Sequence, residues 1–520
     1  MLVSNTSTVL RLLPIPFLLI IYCIFIQFQG HNHARSYSLP PLVDTNGPQS
    51  FDVKPAVMTS SINLTDSKSN FNPTVRNFWK DLTIALENAR PQCPPIRVEE
   101  GHPTDLETAF EPLNTTKRPP ERLLNFTEKH EVALLTAHYR MRTSAQQLAD
   151  GLVFSKGEQG IVTTTNAKEM PISLVSLRML RRTGCQLPVE VFLEDWTEYD
   201  PVICEAVLPS LNAACVILSK IHDVSPNDQE PASHQLKILA ILFSSFQHVL
   251  FLESDAFPAQ DPTILFSAPP YTVHGLVVWP DLFGLTVSEH YYHIAAIPYQ
   301  PPCTRASTDS GIILLDKSKQ RESLLMMVYY NHHGPKHFYP LLSQGSHNSG
   351  DKETLIQAAL AVGAPWYQVQ TSVAGLGYFE DGDFRLSGMA QMDPRSDFRY
   401  QAPSGSHIHP EHRWQLDDLE DGVKEPVLPG PMFVHQNMQR LDPVRVLSIE
   451  GSNAVTADGG YTRMWGDLKS LVKMFGYDIE RRVWEVVIEE GCRVDAEMES
   501  CGKLREFFVE VFGVIDSIDE

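Results

Sequence analysis

Between residues 159 and 255 short apolar runs alternate with longer stretches in which apolar positions recur every three or four residues. Runs of about five residues rich in β-branched and aromatic side chains read as strands, and the three-to-four spacing reads as helix. GIVTTT (160–165) predicts a strand, ISLVSLRMLRRTG (172–184) a helix closed by Gly184, and LPVEVFLE (187–194) a second strand. Arg181 and Arg182 fall in that helix's last turn, where cations oppose the helix dipole. VICEAVLPSLNA (202–213) predicts a helix, ACVIL (214–218) a strand, SHQLKILAILFSSFQ (233–247) a helix and HVLFLE (248–253) a strand. Four strand–helix units in succession predict an α/β domain with a parallel sheet.

Outside this region the pattern loses its period. Residues 36–130 are rich in Pro, Ser, Asn and Thr and read as a stem. VRNFWKDLTIALEN (75–88) is the exception, a short helix whose Phe78, Leu82, Ile84 and Leu86 could pack on something. Near the N-terminus Leu12 to Phe28 form 17 uncharged residues, at the short end of what crosses a bilayer. The small residues of a signal-peptide cleavage site are missing after it, so an anchor is favoured over a cleaved leader. The organisation expected is a cytoplasmic tail (1–11), a transmembrane anchor (12–28), a lumenal stem (29–126), a catalytic domain (127–445) and a helical extension (446–520). In that extension Trp465, Leu468, Leu471, Val472 and Phe475 fall on one broad side.

Composition narrows the partners. A formal charge of −21 over 520 residues argues against nucleic acid, which needs excess Lys and Arg. Asn63, Asn114 and Asn125 head Asn-x-Thr triplets, all after the anchor, which suits a lumenal body. Seven cysteines follow the anchor, an odd number, so in an oxidising lumen at least one lacks a partner within the chain. Cys492 and Cys501 are the expected local bridge; Cys204 and Cys215 fit a bridge or buried thiols equally well.

The chemistry concentrates at Glu253-Ser254-Asp255. In a parallel α/β sheet ligands bind beyond the carboxyl ends of the strands, which brings Thr164, Thr165 and Asn166, Glu194 and Asp195, and Glu253 to Asp255 to one edge. Acids one residue apart on an extended backbone face the same way and can share a divalent cation. Such an ion reverses the repulsion between carboxylates and a diphosphate. Paired carboxylates also occur in glycoside hydrolases, but there they come from separate elements and need no metal.

Six blocks in order, GIVTTTNAKEMPISLVSLRMLRRTGCQLPVEVF, HQLKILAILFSSFQHVLFLESDAFPAQDP, VVWPDLFG, STDSGIILLDK, GDKETL and FVHQNMQRLDP, resemble the fungal Golgi α-mannosyltransferases of the mannan-branching type, glycosyltransferase family 71, over residues 127–445. The resemblance implies a GT-A fold, Rossmann-like and built for nucleotide-diphospho-sugars, in a type II Golgi membrane protein held by one N-terminal helix. It implies retaining transfer of mannose from GDP-mannose to a mannoside or glycoprotein glycan, with an α-1,2 linkage expected, a Mn²⁺-like ion and a possible Golgi complex as partner. Asp255 matches the metal-binding acid, Glu253 stands where Asp is commoner, and His435 matches a late histidine that completes the metal shell. Lys237 matches a basic position that could reach nucleotide or pair with an acid, and Asn437 a phosphate contact. Asp309 and Asp351 would act on the acceptor side, orienting hydroxyls or attacking the anomeric carbon. Asp281, beside Trp279, would bind sugar hydroxyls, while core packing of Trp279 and a turn role for Asp281 remain open. Thr164 and Thr165 would meet base or ribose. The alternatives are a GT-A transferase using a UDP-sugar, and a silent relative that binds glycans or scaffolds a complex, motivated by Glu253.

Overall fold

The computed structural model describes residues 73–99, 101–222, 233–346, 350–401, 428–448, 451–493 and 499–513. The anchor, the tail and Asn63 lie outside them. Among the described residues no helix is long and apolar enough to cross a membrane.

The predicted strands form where expected, as β1 (Ser155–Thr164), β2 (Val189–Leu193), β3 (Ala213–Ile217) and β4 (Phe246–Leu252). The helix before β4 ends at Phe243, so Phe246 and Gln247, read as helix, open the strand. The segment 202–213 contains a single wide turn, Ile203–Val207, followed by a short helical turn rather than a continuous helix. The sheet continues through β6 (Leu276–Gly284), β7 (Ala306–Asp316) and β8 (Tyr367–Gln368) in the order β3-β2-β1-β4-β7-β6-β8. β1 to β4 are mutually parallel, but β7 runs antiparallel to both β4 and β6, so the sheet is mixed where a parallel one was expected.

Both faces of this sheet are covered, and the period of two sorts the side chains. Val162, Phe251 and Ile313 face one core, while Ile161, Leu250 and Ile312 face the other. The first core also takes Phe78, Trp79, Leu82 and Leu86 from the helix Pro73–Asn88, so this part of the expected stem packs against the domain. Ile84 of the same helix points outward.

A second, antiparallel sheet carries β5 (Ala256–Pro258), β9 (Ala374–Glu380), β10 (Asp383–Met392) and β11 (Pro431–His435) in the order β5-β11-β10-β9. The helix Met170–Arg182 packs beside it against the C-terminal helix Ile479–Gly491, through Val175, Met179, Val483 and Trp484. Ion pairs from Arg178 to Glu489 (2.7 Å) and Arg182 to Glu485 (2.8 Å) rim that contact. The helix Leu468–Phe475 buries Leu471, while Leu468 and Val472 of its expected apolar side stay exposed. Cys492–Cys501 is a disulfide as expected; Cys204–Cys215 is one too, settling the alternative of buried thiols, and Cys93, Cys185 and Cys303 are free.

The core under the helix Glu128–Leu148 contains His138, whose Nε2 lies 2.7 Å from the Tyr330 hydroxyl. Burial, with Arg142 adding repulsion, pushes its imidazole down to about 4. The unfolded chain therefore binds this proton below about pH 6.5 while the folded chain does not, and stability falls as pH drops toward 4. The expected loss is about 3 kcal/mol from this group. His138→Phe should flatten that limb in urea unfolding curves taken at pH 7 and pH 4.

Candidate metal centre

β4 stops at Leu252 because the next residues turn. The Glu253 amide donates to the Gly311 carbonyl (2.9 Å), and the Ala256 amide donates back to the Glu253 carbonyl (3.0 Å). The turn delivers Asp255 directly into β5, which pairs with β11 so that Ala256 lies opposite His435. Register alone thus sets the imidazole next to the acid pair.

His435 Nε2 lies 3.2 Å from Glu253 Oε2 and 3.4 Å from Asp255 Oδ1. One ligand atom from each residue falls within 4.8 Å of the others, a spacing that fits one cation. The extra methylene of Glu253 does not carry its carboxylate out of reach. On the other side of the ring, Nδ1 lies 3.1 Å from Asp309 Oδ2. Gln391 Nε2 donates to that same oxygen and to the Pro280 carbonyl, each at 2.8 Å, and the Gly311 amide donates to Asp309 Oδ1 at 2.9 Å.

Polar satisfaction tests whether an ion fits. Asp255 is 1% exposed, yet neither of its carboxylate oxygens makes a hydrogen bond, and His435 Nε2 makes none either. Arg440 Nε approaches Asp255 Oδ2 at 2.9 Å as an ion pair outside hydrogen-bond geometry. Buried carboxylates without hydrogen bonds cost several kcal/mol unless a cation compensates them. Two carboxylates and an imidazole converging on one point are such a cation's donor set, and the nitrogen favours Mn²⁺ over Mg²⁺.

Without an ion these groups neutralise one another, and a bound cation would displace the proton on His435 Nε2. Burial alone would strip the proton from His435, but the Asp309 carboxylate and contacts with Asp255 and Glu253 outweigh it and raise the imidazole well above its usual range. Burial would raise the Glu253 carboxyl; the Lys237 ammonium and His435 bring it well below the ordinary value instead. Lys237, itself buried, reaches Glu253 Oε1 (2.7 Å), Asp351 Oδ2 (2.9 Å) and the Ser310 hydroxyl (2.9 Å). It takes the acid-pairing role of the two expected for it. Arg440 also pairs with Glu169.

Not every expected residue joins this cluster. Asp309 sits behind His435 as the acceptor for its ring rather than on an open loop, and Asp351 is held by Lys237 and Ser310. Asn437 follows β11, its Oδ1 buried and without a hydrogen bond. Thr164 is half-buried at the end of β1, and the Thr165 hydroxyl accepts from Ser173 (2.7 Å) at the start of the next helix. Asp281 is buried and paired with Lys352. Trp279 is wholly buried, donates its Nε1 to the Met392 carbonyl (2.8 Å) and packs edge-on to Phe433, so its role is core packing and not a sugar platform. Asn114 donates to Glu111 (2.9 Å), and Asn125 is exposed. Arg440, Glu169 and Gln391 were not expected; Arg440 lies within the FVHQNMQRLDP block, but only the pairing of β11 with β5 brings it to Asp255.

Gly311 makes room for the imidazole, since a β-carbon there would lie 2.4 Å from His435 Cε1. Gly311→Ala should therefore displace the ring and weaken Mn²⁺ binding about 10- to 100-fold, the range seen when metal-ligand support is lost. Calorimetric titration of Mn²⁺ into wild type and variant measures it.

Comparison with known proteins places the chain. A family model described as "Mannosyltransferase putative" matches residues 158–305 and 298–393. Alpha-1,2-mannosyltransferase MNN2 of Saccharomyces cerevisiae is 30% identical over 424 residues, covering 70% of this chain and 69% of that protein. Alpha-1,2-mannosyltransferase MNN21 of Candida albicans is 31% identical over 435 residues, covering 73% of this chain and 64% of that protein. The chain belongs to the fungal mannosyltransferase family. It spans less than two thirds of several of these relatives, 64% of MNN21 and 39% of the Candida albicans alpha-1,2-mannosyltransferase MNN24. Among solved structures, the glycosyltransferase GlyE of Streptococcus pneumoniae aligns at 11% identity with a TM-score of 0.28, covering 41% of this chain and 45% of that one, too slight a likeness to argue from.

Proposed function

We propose that the protein is a retaining, metal-dependent GT-A α-mannosyltransferase that moves mannose from GDP-mannose to a mannoside or glycoprotein glycan and forms an α-1,2 linkage. The observation that carries this reading is the convergence of Glu253, Asp255 and His435, with both oxygens of the buried Asp255 lacking hydrogen bonds, at the carboxyl end of β4. The bound ion, for which Mn²⁺ suits the donor set, would neutralise charge on the donor's diphosphate.

Asp309 holds the proton on His435 Nδ1, which leaves Nε2 to face Glu253 and Asp255. Lys237 keeps Glu253 ionised and holds Asp351 as its counter-charge. An acid so neutralised is a poor base, which suits retention in which the departing phosphate takes the acceptor's proton. Asp351 would then orient and shield, not attack.

The disulfides Cys204–Cys215 and Cys492–Cys501 support an oxidising compartment, and the apolar run 12–28 supports a single-pass type II protein of the Golgi membrane. The test is a donor screen on the detergent-purified protein with an α-mannoside acceptor, with and without EDTA, followed by linkage analysis. Mannose transfer from GDP-mannose that EDTA stops and Mn²⁺ restores is expected. Transfer from UDP-sugars alone, or transfer indifferent to EDTA, would overturn it.

A further inference from the structure

Lys237 and His435 are locked into the metal centre; Arg440 is not. Lys237 is buried among Glu253, Asp351 and the Ser310 hydroxyl, and the buried His435 ring is held by Asp309. Arg440 is half-buried and divides its guanidinium between two carboxylates, with Nε 2.9 Å from Asp255 Oδ2 and Nη1 on Glu169.

The contact with Asp255 lacks the marks of a permanent pair. Arg305 and Glu353 show what such a pair looks like in this protein: both are buried, and Nη2 donates to Oε2 at 2.6 Å. The closest approach of Arg440 to Asp255 lies outside hydrogen-bond geometry, and both oxygens of that carboxylate stay without hydrogen bonds. Arg440 therefore gives Asp255 charge but no directed bond.

The backbone around Arg440 is pinned, which leaves the side chain as the part that can move. The Gln439 amide donates to the Ser387 carbonyl (3.1 Å), and the Leu441 amide donates to Gln436 Oε1 (3.2 Å), with the Leu441 side chain buried. Its second partner is equally well placed. Glu169 closes the loop after β1, where Asn166 Oδ1 accepts from the Lys168 and Glu169 amides at 3.0 Å each, and its other oxygen accepts from Ser254 Oγ at 3.4 Å. Arg440 thus spans the carboxyl ends of β1 and β4, the edge at which ligands of such sheets bind.

A dication held by Glu253, Asp255 and His435 and a guanidinium against the same Asp255 repel each other, so the two compete for that carboxylate. A diphosphate beside them ends the competition, because a guanidinium matches pairs of phosphate oxygens better than it matches Asp255 here.

We infer that Arg440 is a stand-in cation: it balances Asp255 while no ion is bound, and passes to the diphosphate of a nucleotide when one is. Ion and nucleotide then strengthen each other's binding, each by the same factor. For the identity of ion and nucleotide this rests on the proposed transferase reading.

The full-length protein in detergent is titrated calorimetrically with Mn²⁺ alone and then, saturated with Mn²⁺, with GDP and in parallel with UDP. Arg440→Met should bind Mn²⁺ alone at least about tenfold more tightly than wild type, since a unit charge beside a dication is worth that much even at a water-like dielectric. The Mn²⁺-saturated variant should bind the nucleoside diphosphate at least about tenfold more weakly. Arg440→Lys, which keeps the charge, should restore most of the wild-type pattern. An arginine that only supports the loop would lower both affinities or change neither. Unchanged or weaker Mn²⁺ binding by Arg440→Met, or an unchanged nucleotide affinity, would overturn the inference and leave the metal centre standing. Failure of wild type and variant alike to bind Mn²⁺ would overturn both. The opposed shifts seen with UDP and not GDP, or in a protein that takes no mannose from GDP-mannose, would refute the transferase reading and leave the role of Arg440 standing.

Discussion

Asp255→Asn is expected to abolish metal-dependent transfer, with kcat/KM down by about a thousandfold or more, while the protein stays folded and melts no lower than wild type. The side chain is 1% exposed, its two oxygens have no hydrogen bonds, and in the metal-free protein its charge faces only the Arg440 ion pair at 2.9 Å and the His435 ring at 3.4 Å. The amide keeps the volume and removes the charge. Its loss leaves Arg440 without one partner, but that side chain is 45% exposed and still pairs with Glu169. Binding suffers for the same reason that folding does not. A neutral amide oxygen is a weak ligand for a hard divalent ion, and the remaining pair, Glu253 and His435, offers one carboxylate and one nitrogen. Mn²⁺ affinity should fall at least about a hundredfold, beyond what loss of a supporting group costs. Calorimetry, a steady-state assay and a thermal melt read the three effects separately, and unchanged Mn²⁺ affinity would remove the proposed centre.

Much of this arrangement was legible in the sequence, and the failures have physical causes. The strands β1 to β4 declared themselves because fully buried strands are continuous apolar runs, and the acids at the end of β4 stood out against that run. The direction of β7 was not legible, because a strand buried on both faces reads alike whichever way it lies. The helix expected at 75–88 stood out from its Pro- and Ser-rich surroundings and formed as Pro73–Asn88, with Phe78, Leu82 and Leu86 in the core; Ile84, expected to pack, points outward, and Trp79 packs in its place. The two roles weighed for Trp279 could not be separated until β10 and β11 had a place, since its partners Met392 and Phe433 lie far along the chain. Asp309 looked like an acceptor-side acid because small polar residues flank it, and small residues also mark places where another side chain comes close. Gly311 is that case: its missing β-carbon is filled by His435. Arg440 carried no local signal at all, since a lone arginine after a strand is ordinarily solvated.

Lys237→Met should be the most destabilising single change near the site, by about 3–5 kcal/mol, the usual cost of breaking a buried ion pair from one side. The ammonium is the shared counter-charge of Glu253 and Asp351, and Met supplies similar bulk without it. Glu253 is 31% exposed and can turn toward water; Asp351 is 6% exposed and cannot, so most of the deficit belongs to Asp351. Adding Asp351→Asn should therefore recover much of the loss, a coupling of roughly 1–3 kcal/mol in a double-mutant cycle. The pH dependence carries the same signature. In wild type the Glu253 carboxyl is held well below its ordinary value, chiefly by Lys237 once burial is overcome. Its contribution is present above the unfolded value near 4.3 and is lost as pH falls through the lower folded value. Without Lys237 that contribution is gone at neutral pH, whereas in acid both proteins carry a protonated carboxyl. The gap between wild type and variant in urea unfolding should thus be widest at pH 7 and narrow as the carboxyls take up protons. A gap of equal size throughout would mean that the lysine stem's packing near Phe251, and not its charge, is what Met fails to replace.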